Sequence, residues 1–150
     1  MEKRYWLPIM VMVAAAFYLV AITMKQPIKP VDPAVLATLV KTDIKTGSGD
    51  EAISGKRISV NYTGWLYDES APNNRGAKFD SSLDRKIPLE FKLGEGQVIA
   101  GWEHGLQGMK VGGQRLLIIP AELAYGKSGF SSVIPPNAKL VFEVELMSVR

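Results

Sequence analysis

The chain has 150 residues, a formal net charge of +3 and no cysteine. This length suits one compact domain with an appendage, and the lack of cysteine excludes a disulfide framework and thiol chemistry. From Lys41 onward, 14 Lys and Arg are balanced by 13 Asp and Glu, so this part of the chain lacks the basic face that nucleic-acid binding needs.

Residues 5–24 form an almost wholly apolar run without a charged side chain. Twenty helical residues span about 30 Å, which is the thickness of the hydrocarbon core of a bilayer. We therefore predict an N-terminal signal anchor, a transmembrane helix, over residues 1–25. A cleaved signal peptide is the alternative. Its small-x-small site would be at residues 14–16, and cleavage there would leave an apolar stretch at the new terminus.

The charges on either side of this run indicate its orientation. Lys3 and Arg4 precede the run, and Lys25 and Lys29 follow it. The positive-inside rule gives a slight preference for a cytoplasmic N terminus, which would place the rest of the chain in a periplasm or an equivalent lumen. Residues 26–34 are rich in proline and predict a stiff, extended tether to a domain over residues 35–150.

Beyond the tether, apolar residues alternate with polar ones, as in strands with one buried face. The alternating sets are Ile58, Val60 and Tyr62; Leu89, Phe91 and Leu93; and Leu140, Phe142, Val144 and Leu146. Residues 115–119 predict a continuous apolar strand that Pro120 ends. Residues 36–45 predict a first strand, with a helical turn near Val35.

Between these strands, Trp102, Leu106 and Met109 recur at helical spacing and predict a short helix over residues 101–109. Glu103 and His104 are predicted to lie on its solvent-facing side. The fold class is therefore α+β, with an antiparallel β-sheet wrapped around one short α-helix and preceded by the N-terminal transmembrane helix.

Several aromatic residues stand beside a glycine, an aspartate or a bulky apolar residue. They are Tyr62, Phe79, Trp102, Tyr125 and Phe142. Aromatic walls with a few polar groups are typical of a pocket for an apolar ligand. Nothing near them resembles a nucleophile, a metal cluster or a phosphate loop, so the pocket suits a reaction without proton transfer or covalent intermediate. Rotation about a prolyl peptide bond is such a reaction.

A set of ordered segments carries a family resemblance. They are VNYTG at 60–64, KFDSS at 78–82, PLEFKLG at 88–94, VIAGWEHG at 98–105, MKVG at 109–112, AYG at 124–126 and IPPNAKLVFEVEL at 134–146. In this order and spacing they resemble the FKBP-type peptidyl-prolyl cis-trans isomerases, over about two thirds of the chain.

This resemblance implies an isomerase without a cofactor or a metal, acting on proline-containing polypeptides. The implied catalytic residues are Tyr62, Asp80, Trp102 and Tyr125. The implied substrate-binding residues are Phe79, Leu89, Val98, Ile99, Phe130, Ile134 and Phe142.

The resemblance also implies a role for each group. Trp102 would be the floor under the prolyl ring, and the Ile99 N–H and the Tyr125 hydroxyl would hold substrate carbonyls. Asp80 would join a polar network with Tyr62 and Arg85. Phe130 and Ile134 would contact the residue before proline, which predicts a preference for apolar residues there.

Other interpretations of these residues remain. Trp102 at helical spacing is also typical of a core, and Tyr125 of a turn; Phe91 we interpret as core. Leu89 stands where many relatives have an aromatic wall and Phe130 where some have histidine, which bears on sequence preference and on binding of macrolides such as tacrolimus and rapamycin.

The function also has alternatives. The same fold could serve as a non-catalytic binding or chaperone module tethered to a membrane, or as a structural subunit docked through residues 68–76. We expect a monomer, attached to the membrane by its N-terminal helix.

Overall fold

The computed structural model describes residues 28–150. The helices are α1 (Pro33–Leu36), α2 (Ser82–Arg85) and α3 (Ala100–Gly105), and the strands are β1 (Val40–Lys45), β2 (Arg57–Tyr67), β3 (Arg75–Ser81), β4 (Leu89–Lys92), β5 (Gln114–Ile119) and β6 (Leu140–Val149). Short 3-10 turns lie at Pro72–Asn74, Ala121–Leu123 and Gly126–Ser128.

The strands form one antiparallel sheet in the order β1-β5-β6-β2-β3, with β4 also paired to β2. The 11-residue strand β2 holds this sheet together, because it pairs with β4 near its start, with β3 near its end and with β6 along its length. An antiparallel sheet with a short helix is thus confirmed.

One face of the sheet and α3 enclose the core. The alternating residues of β2, β4 and β6 are buried, as their period of two predicted. Strand β5 is confirmed and begins one residue before the predicted range, at Gln114. Leu117 and Ile119 are fully buried, while Leu116 and Ile118 on the opposite face are half-buried.

The predicted helix over residues 101–109 is too long. Helix α3 ends at Gly105, and the chain turns at Gly108, whose φ of +83° lies outside helical geometry. Leu106 and Met109 still reach the core through this turn, since both are almost fully buried. The helical spacing therefore identified buried residues but overestimated the length of the helix.

The predicted anchor of residues 1–25 lies outside the described residues. Within residues 28–150, no helix combines the length and apolarity needed to cross a membrane. Val31 packs against the core, and α1 begins at Pro33 after Asp32, whose Oδ1 accepts a hydrogen bond from the N–H of Ala34 at 2.8 Å. The division into anchor, tether and domain stays a prediction.

Residues 68–76 form a compact surface connection that leads from β2 into the first two residues of β3. Asp68 Oδ1 accepts hydrogen bonds from the N–H and the hydroxyl of Ser70 at 2.9 and 2.7 Å. Arg75 at the end of the loop lies 4.5 Å over the ring of Trp65 and donates to Glu143 at 2.8 Å. The loop is therefore held to the sheet by local contacts.

Candidate active site

A cluster of aromatic rings lies where α3 crosses β2 and β6. The Trp102 ring is 5.0 Å from that of Tyr62, 5.3 Å from that of Phe142 and 5.9 Å from that of Phe91, centroid to centroid. Phe79 packs edge-on against Phe142 at 5.5 Å. Trp102 is 0% exposed, so it is a core residue as well as the centre of this cluster.

Two glycines allow close packing in and beside this cluster. Gly64 lies between Asp80 of β3 and Phe142 of β6 in the sheet register, and a Cβ there would be 2.7 Å from both the Phe79 and the Phe142 ring. A Cβ at Gly101 would be 2.4 Å from Ile119, so glycine allows α3 to pack directly on β5.

A polar network lies on one side of the Tyr62 ring. The Tyr62 hydroxyl donates to Asp80 Oδ2 at 2.6 Å and accepts from Arg85 Nη2 at 2.8 Å. Arg85 Nη1 donates to Asp80 Oδ1 through a short, charge-assisted contact. The pair is shielded from water, since the side chains of Asp80 and Arg85 are 1% and 17% exposed.

The chain brings Arg85 back to Asp80 through the single turn α2. Ser81 caps this turn, and Lys86 ends it in the left-handed conformation with a φ of +60°. The hydroxyl of Ser82 accepts a hydrogen bond from the N–H of Tyr62 at 2.8 Å, which ties the turn to β2. Asp80 and Arg85 are thereby fixed against the same tyrosine.

The network keeps Tyr62 neutral. Burial raises the pKa of the Tyr62 phenol well above its usual value, and the charge of Asp80 raises it further. Burial lowers the pKa of Arg85, but its bonds to Tyr62 and Asp80 outweigh this effect, so the pKa is raised overall. Tyr62 therefore acts as a hydrogen-bond donor of fixed orientation rather than as an acid or base.

Tyr125 is the second buried phenol of this region. Burial raises its pKa first, and the charge of Asp80 adds to this, which puts Tyr125 within electrostatic reach of the network. Among the described residues, its hydroxyl and the indole Nε1 of Trp102 are buried without a hydrogen-bond partner. Buried donors normally have partners, and a ligand atom or a water is the usual partner of one that the protein leaves unpaired.

The segment after Tyr125 closes over the same region. The Tyr125 and Phe130 rings lie 5.5 Å apart, and Phe130 and Ile134 exchange two backbone hydrogen bonds of 2.8 and 3.0 Å. Phe130 is half-buried, whereas Ile134 is almost completely buried. Of the two residues predicted to meet the residue before proline, Phe130 is therefore the more accessible.

Residues 49–147 match the family of FKBP-type peptidyl-prolyl cis-trans isomerases. The chain belongs to this family. It is 53% identical over 114 residues to the FK506-binding protein of Neisseria meningitidis serogroup A, which covers 76% of this chain and 98% of that protein.

Further relatives agree with this assignment. FK506-binding protein 1B of Aspergillus fumigatus is 46% identical over 114 residues, covering 75% of this chain and 94% of that protein. The crystal structure of AtFKBP13 superposes with a TM-score of 0.67 at 37% identity, covering 80% of this chain and 97% of that chain. The chain is an FKBP-type peptidyl-prolyl isomerase with the fold of this family.

The remaining site residues predicted for this FKBP lie around the cluster. Val98 and Ile99 are half-buried and pack against the core just before α3. Leu89 of β4 pairs with Val60 and is 9% exposed. Phe91 is buried, as its interpretation as core predicted. The catalytic roles of these residues stay predictions.

The placement of Glu103 on the solvent-facing side of α3 is wrong, and His104 is only partly exposed. Glu103 is 1% exposed, and His104 is half-buried with its Nε2 buried and, among the described residues, unpaired. The reason is that the Glu103 carboxylate accepts backbone N–H groups from Gly94 and Gly96. Two glycines shortly before an acidic residue were the signal for this arrangement.

The described part of the chain also bears on metal binding. Within residues 28–150, no three His, Cys, Asp or Glu side chains gather closely enough to hold a metal ion. The side chains gathered at this site are aromatic rings, two phenol hydroxyls and the Asp80–Arg85 ion pair.

Proposed function

We propose that this FKBP accelerates rotation about Xaa-Pro bonds by binding the twisted amide at the aromatic cluster around Trp102. The bond crosses a barrier of about 18–20 kcal/mol unaided, because rotation removes the amide resonance. The twisted amide is less polar than the planar one, so an apolar surface favours it relative to water. Each 1.36 kcal/mol of preferential stabilisation gives about a tenfold rate increase.

The unpartnered Tyr125 hydroxyl beside the aromatic cluster carries this proposal. A donor that is buried without a partner gains a hydrogen bond when a ligand supplies an acceptor, and a substrate carbonyl is such an acceptor. The network of Tyr62, Asp80 and Arg85 holds the Tyr62 ring, which packs against Trp102 at 5.0 Å. Trp102, Val98, Ile99 and Phe142 would then meet the prolyl ring and its flanking residues.

The full-length chain at micromolar concentration is expected to raise the cis-to-trans rate of a peptide with an apolar residue before Pro-Phe. Tyr125→Phe is expected to lower kcat/KM about three- to tenfold, the value of one neutral hydrogen bond, without loss of stability. Tyr67→Phe is the matched control, because its ring lies at the surface against Lys139 at 4.4 Å.

These outcomes separate the candidate functions. No acceleration by the wild-type chain would leave the non-catalytic binding module as the better proposal. Acceleration that is equal in Tyr125→Phe and in the wild type would show that the hydroxyl does not contact the substrate.

We further propose that residues 1–25 anchor the chain in a membrane, with residues 26–34 as the tether and the domain on the periplasmic side, where it would act on exported proteins. The apolar run and its flanking charges support this location. A phosphatase fused after Arg150 is expected to be active in the intact chain and inactive when residues 5–24 are deleted. A fusion that is inactive in both chains would contradict the proposed topology.

Binding of macrolides is a separate proposal. The relatives are named FK506-binding proteins, and FK506 is the macrolide tacrolimus. The aromatic cluster and the Tyr125 hydroxyl suit such an apolar ligand with carbonyl oxygens. Leu89 in place of an aromatic wall and Phe130 on the flap would tune its affinity.

A further inference from the structure

A buried carboxylate lies directly after Trp102 and has no part in the proposed isomerisation. Glu103 Oε2 accepts the N–H of Gly94, and its Oε1 accepts the N–H of Gly96 at 3.0 Å. The backbones of Gln97 and Val98 also stabilise its charged form. One side chain on α3 thus gathers the backbone of residues 94–98, which we call the cradle loop.

The cradle loop has a conformation that suits this carboxylate. Gly94 and Gly96 have φ values of +86° and +70°, which residues with a Cβ rarely adopt. A Cβ at Gly94 would also fall 2.0 Å from the hydroxyl of Ser54. Gln97 closes the loop, since its Oε1 accepts the N–H of Lys92 at 2.9 Å.

The buried carboxylate of Glu103 depends on the hydrogen bonds that it receives from the cradle loop. Burial raises the pKa of Glu103, and the backbone hydrogen bonds of the cradle loop oppose this only in part. A carboxylate away from water is costly unless its oxygens are hydrogen-bonded, and N–H groups bound to a charged oxygen form strong bonds. The N–H groups of Gly94 and Gly96 in turn depend on this carboxylate as their acceptor. Without Glu103 they would lose these bonds, and the loop would no longer be held in place.

The cradle loop is followed directly by Ile99, which together with Val98 is predicted to form one wall of the substrate site. Val98 ends the loop, and Ile99 follows it as the residue that caps α3, where its carbonyl accepts the N–H of Trp102 at 2.9 Å and of Glu103 at 3.1 Å. Glu103 thus holds this segment twice, through its backbone to Ile99 and through its side chain to residues 94–98.

From these contacts we infer that Glu103 is a positioning residue for the isomerase. It fixes the cradle loop so that Val98, Ile99 and the Ile99 N–H stand in a constant geometry above Trp102. Its carboxylate neither touches the substrate nor exchanges a proton with it. This inference rests on the proposed function, because the wall has a purpose only if a prolyl substrate binds there.

Glu103→Gln tests the inference in the full-length chain. The amide keeps the size of the side chain but turns one acceptor into a donor facing backbone N–H groups. We expect KM for the apolar-residue-Pro-Phe peptide to rise about five- to tenfold, the value of one misplaced substrate hydrogen bond, with a smaller change in kcat. The amide proton signals of Gly94 and Gly96 are expected to move upfield, since they lose a charged acceptor.

Glu95→Gln is the matched control, because it makes the same chemical change in the same loop. The Glu95 carboxylate forms an ion pair with Lys92 Nζ at 3.0 Å instead of accepting the backbone N–H groups that Glu103 binds. Its KM is expected to equal that of the wild type. Gly96→Ala is a second route to the same disturbance, since alanine opposes a φ of +70° while Glu103 stays intact, and it is expected to raise KM as well.

The outcomes have distinct meanings. A merely structural role would lower the apparent kcat with the folded fraction and leave KM unchanged, and this result would overturn the inference. If Glu103→Gln does not fold, an unchanged KM in Gly96→Ala would overturn it. If the wild-type chain shows no acceleration, the proposed function itself fails, and the inference falls with it.

Discussion

Trp102→Ala is expected to lower the free energy of unfolding by about 3–5 kcal/mol and to remove most of the isomerase activity. The indole is 0% exposed and touches the rings of Tyr62, Phe91 and Phe142, so alanine leaves a large cavity at the centre of the core. Edge-to-face ring pairs add about 0.5–1.5 kcal/mol each beyond their buried area. Urea denaturation and the peptide assay measure the two effects.

The loss of activity must be separated from the loss of folding. A small domain has a stability of about 5–15 kcal/mol, so a folded fraction remains for the assay. Phe91→Ala is the matched control, because Phe91 is a buried aromatic residue of the same cluster that we assign to the core. If both variants have the same kcat/KM per folded molecule, Trp102 is a core residue and not the floor of the site.

The strands of the sheet could be predicted well from the sequence, because the alternation of apolar and polar residues within each strand shows which face is buried. Alternation at Ile58 and Val60 or at Phe142 and Val144 follows from a single apolar face, and it needs no knowledge of distant residues. Helix α3 was harder, since Leu106 and Met109 keep helical spacing while Gly108 turns the chain. Helical spacing of apolar residues shows which residues are buried, but it does not show that the backbone between them is helical.

The site was less predictable from periodicity than the sheet. Tyr62, Asp80 and Arg85 are brought together by the pairing of β2 with β3 and by the turn α2, and only the family resemblance pointed to that network. Glu103 was placed toward solvent because charged residues are usually exposed. Its burial depends on N–H donors from a separate loop, which a helical pattern does not represent.

The Tyr62–Asp80–Arg85 network links stability to the shape of the site. The Tyr62 ring packs edge-on against Trp102 at 5.0 Å while its hydroxyl is held by two charged groups. The ring cannot swing away from Trp102 by a change of its χ1 angle without breaking a charge-assisted hydrogen bond. The hydrogen bonds of the Tyr62 hydroxyl therefore help to keep its ring in place against Trp102.

Asp80→Ala is expected to lower the free energy of unfolding by about 2–4 kcal/mol and to reduce kcat/KM. It removes the acceptor of the Tyr62 hydroxyl and the partner of Arg85 together. Because the Arg85 side chain is 17% exposed, its guanidinium can turn toward water, which limits the loss. Chemical denaturation and the peptide assay of the variant measure both quantities.

Three further variants, one of them a control, test whether the effect of Asp80 acts through Tyr62. Asp84→Ala removes a carboxylate from an exposed ion pair with Lys78, and such pairs contribute about 0–1 kcal/mol, so little change is expected. Tyr62→Phe is expected to lower the free energy of unfolding by about 1 kcal/mol. The double variant with Asp80→Ala is expected to lose less than the sum of the two single losses, because the two groups share one hydrogen bond. Strictly additive losses of stability and activity would show that Asp80 acts independently of Tyr62, against the coupling that the network predicts.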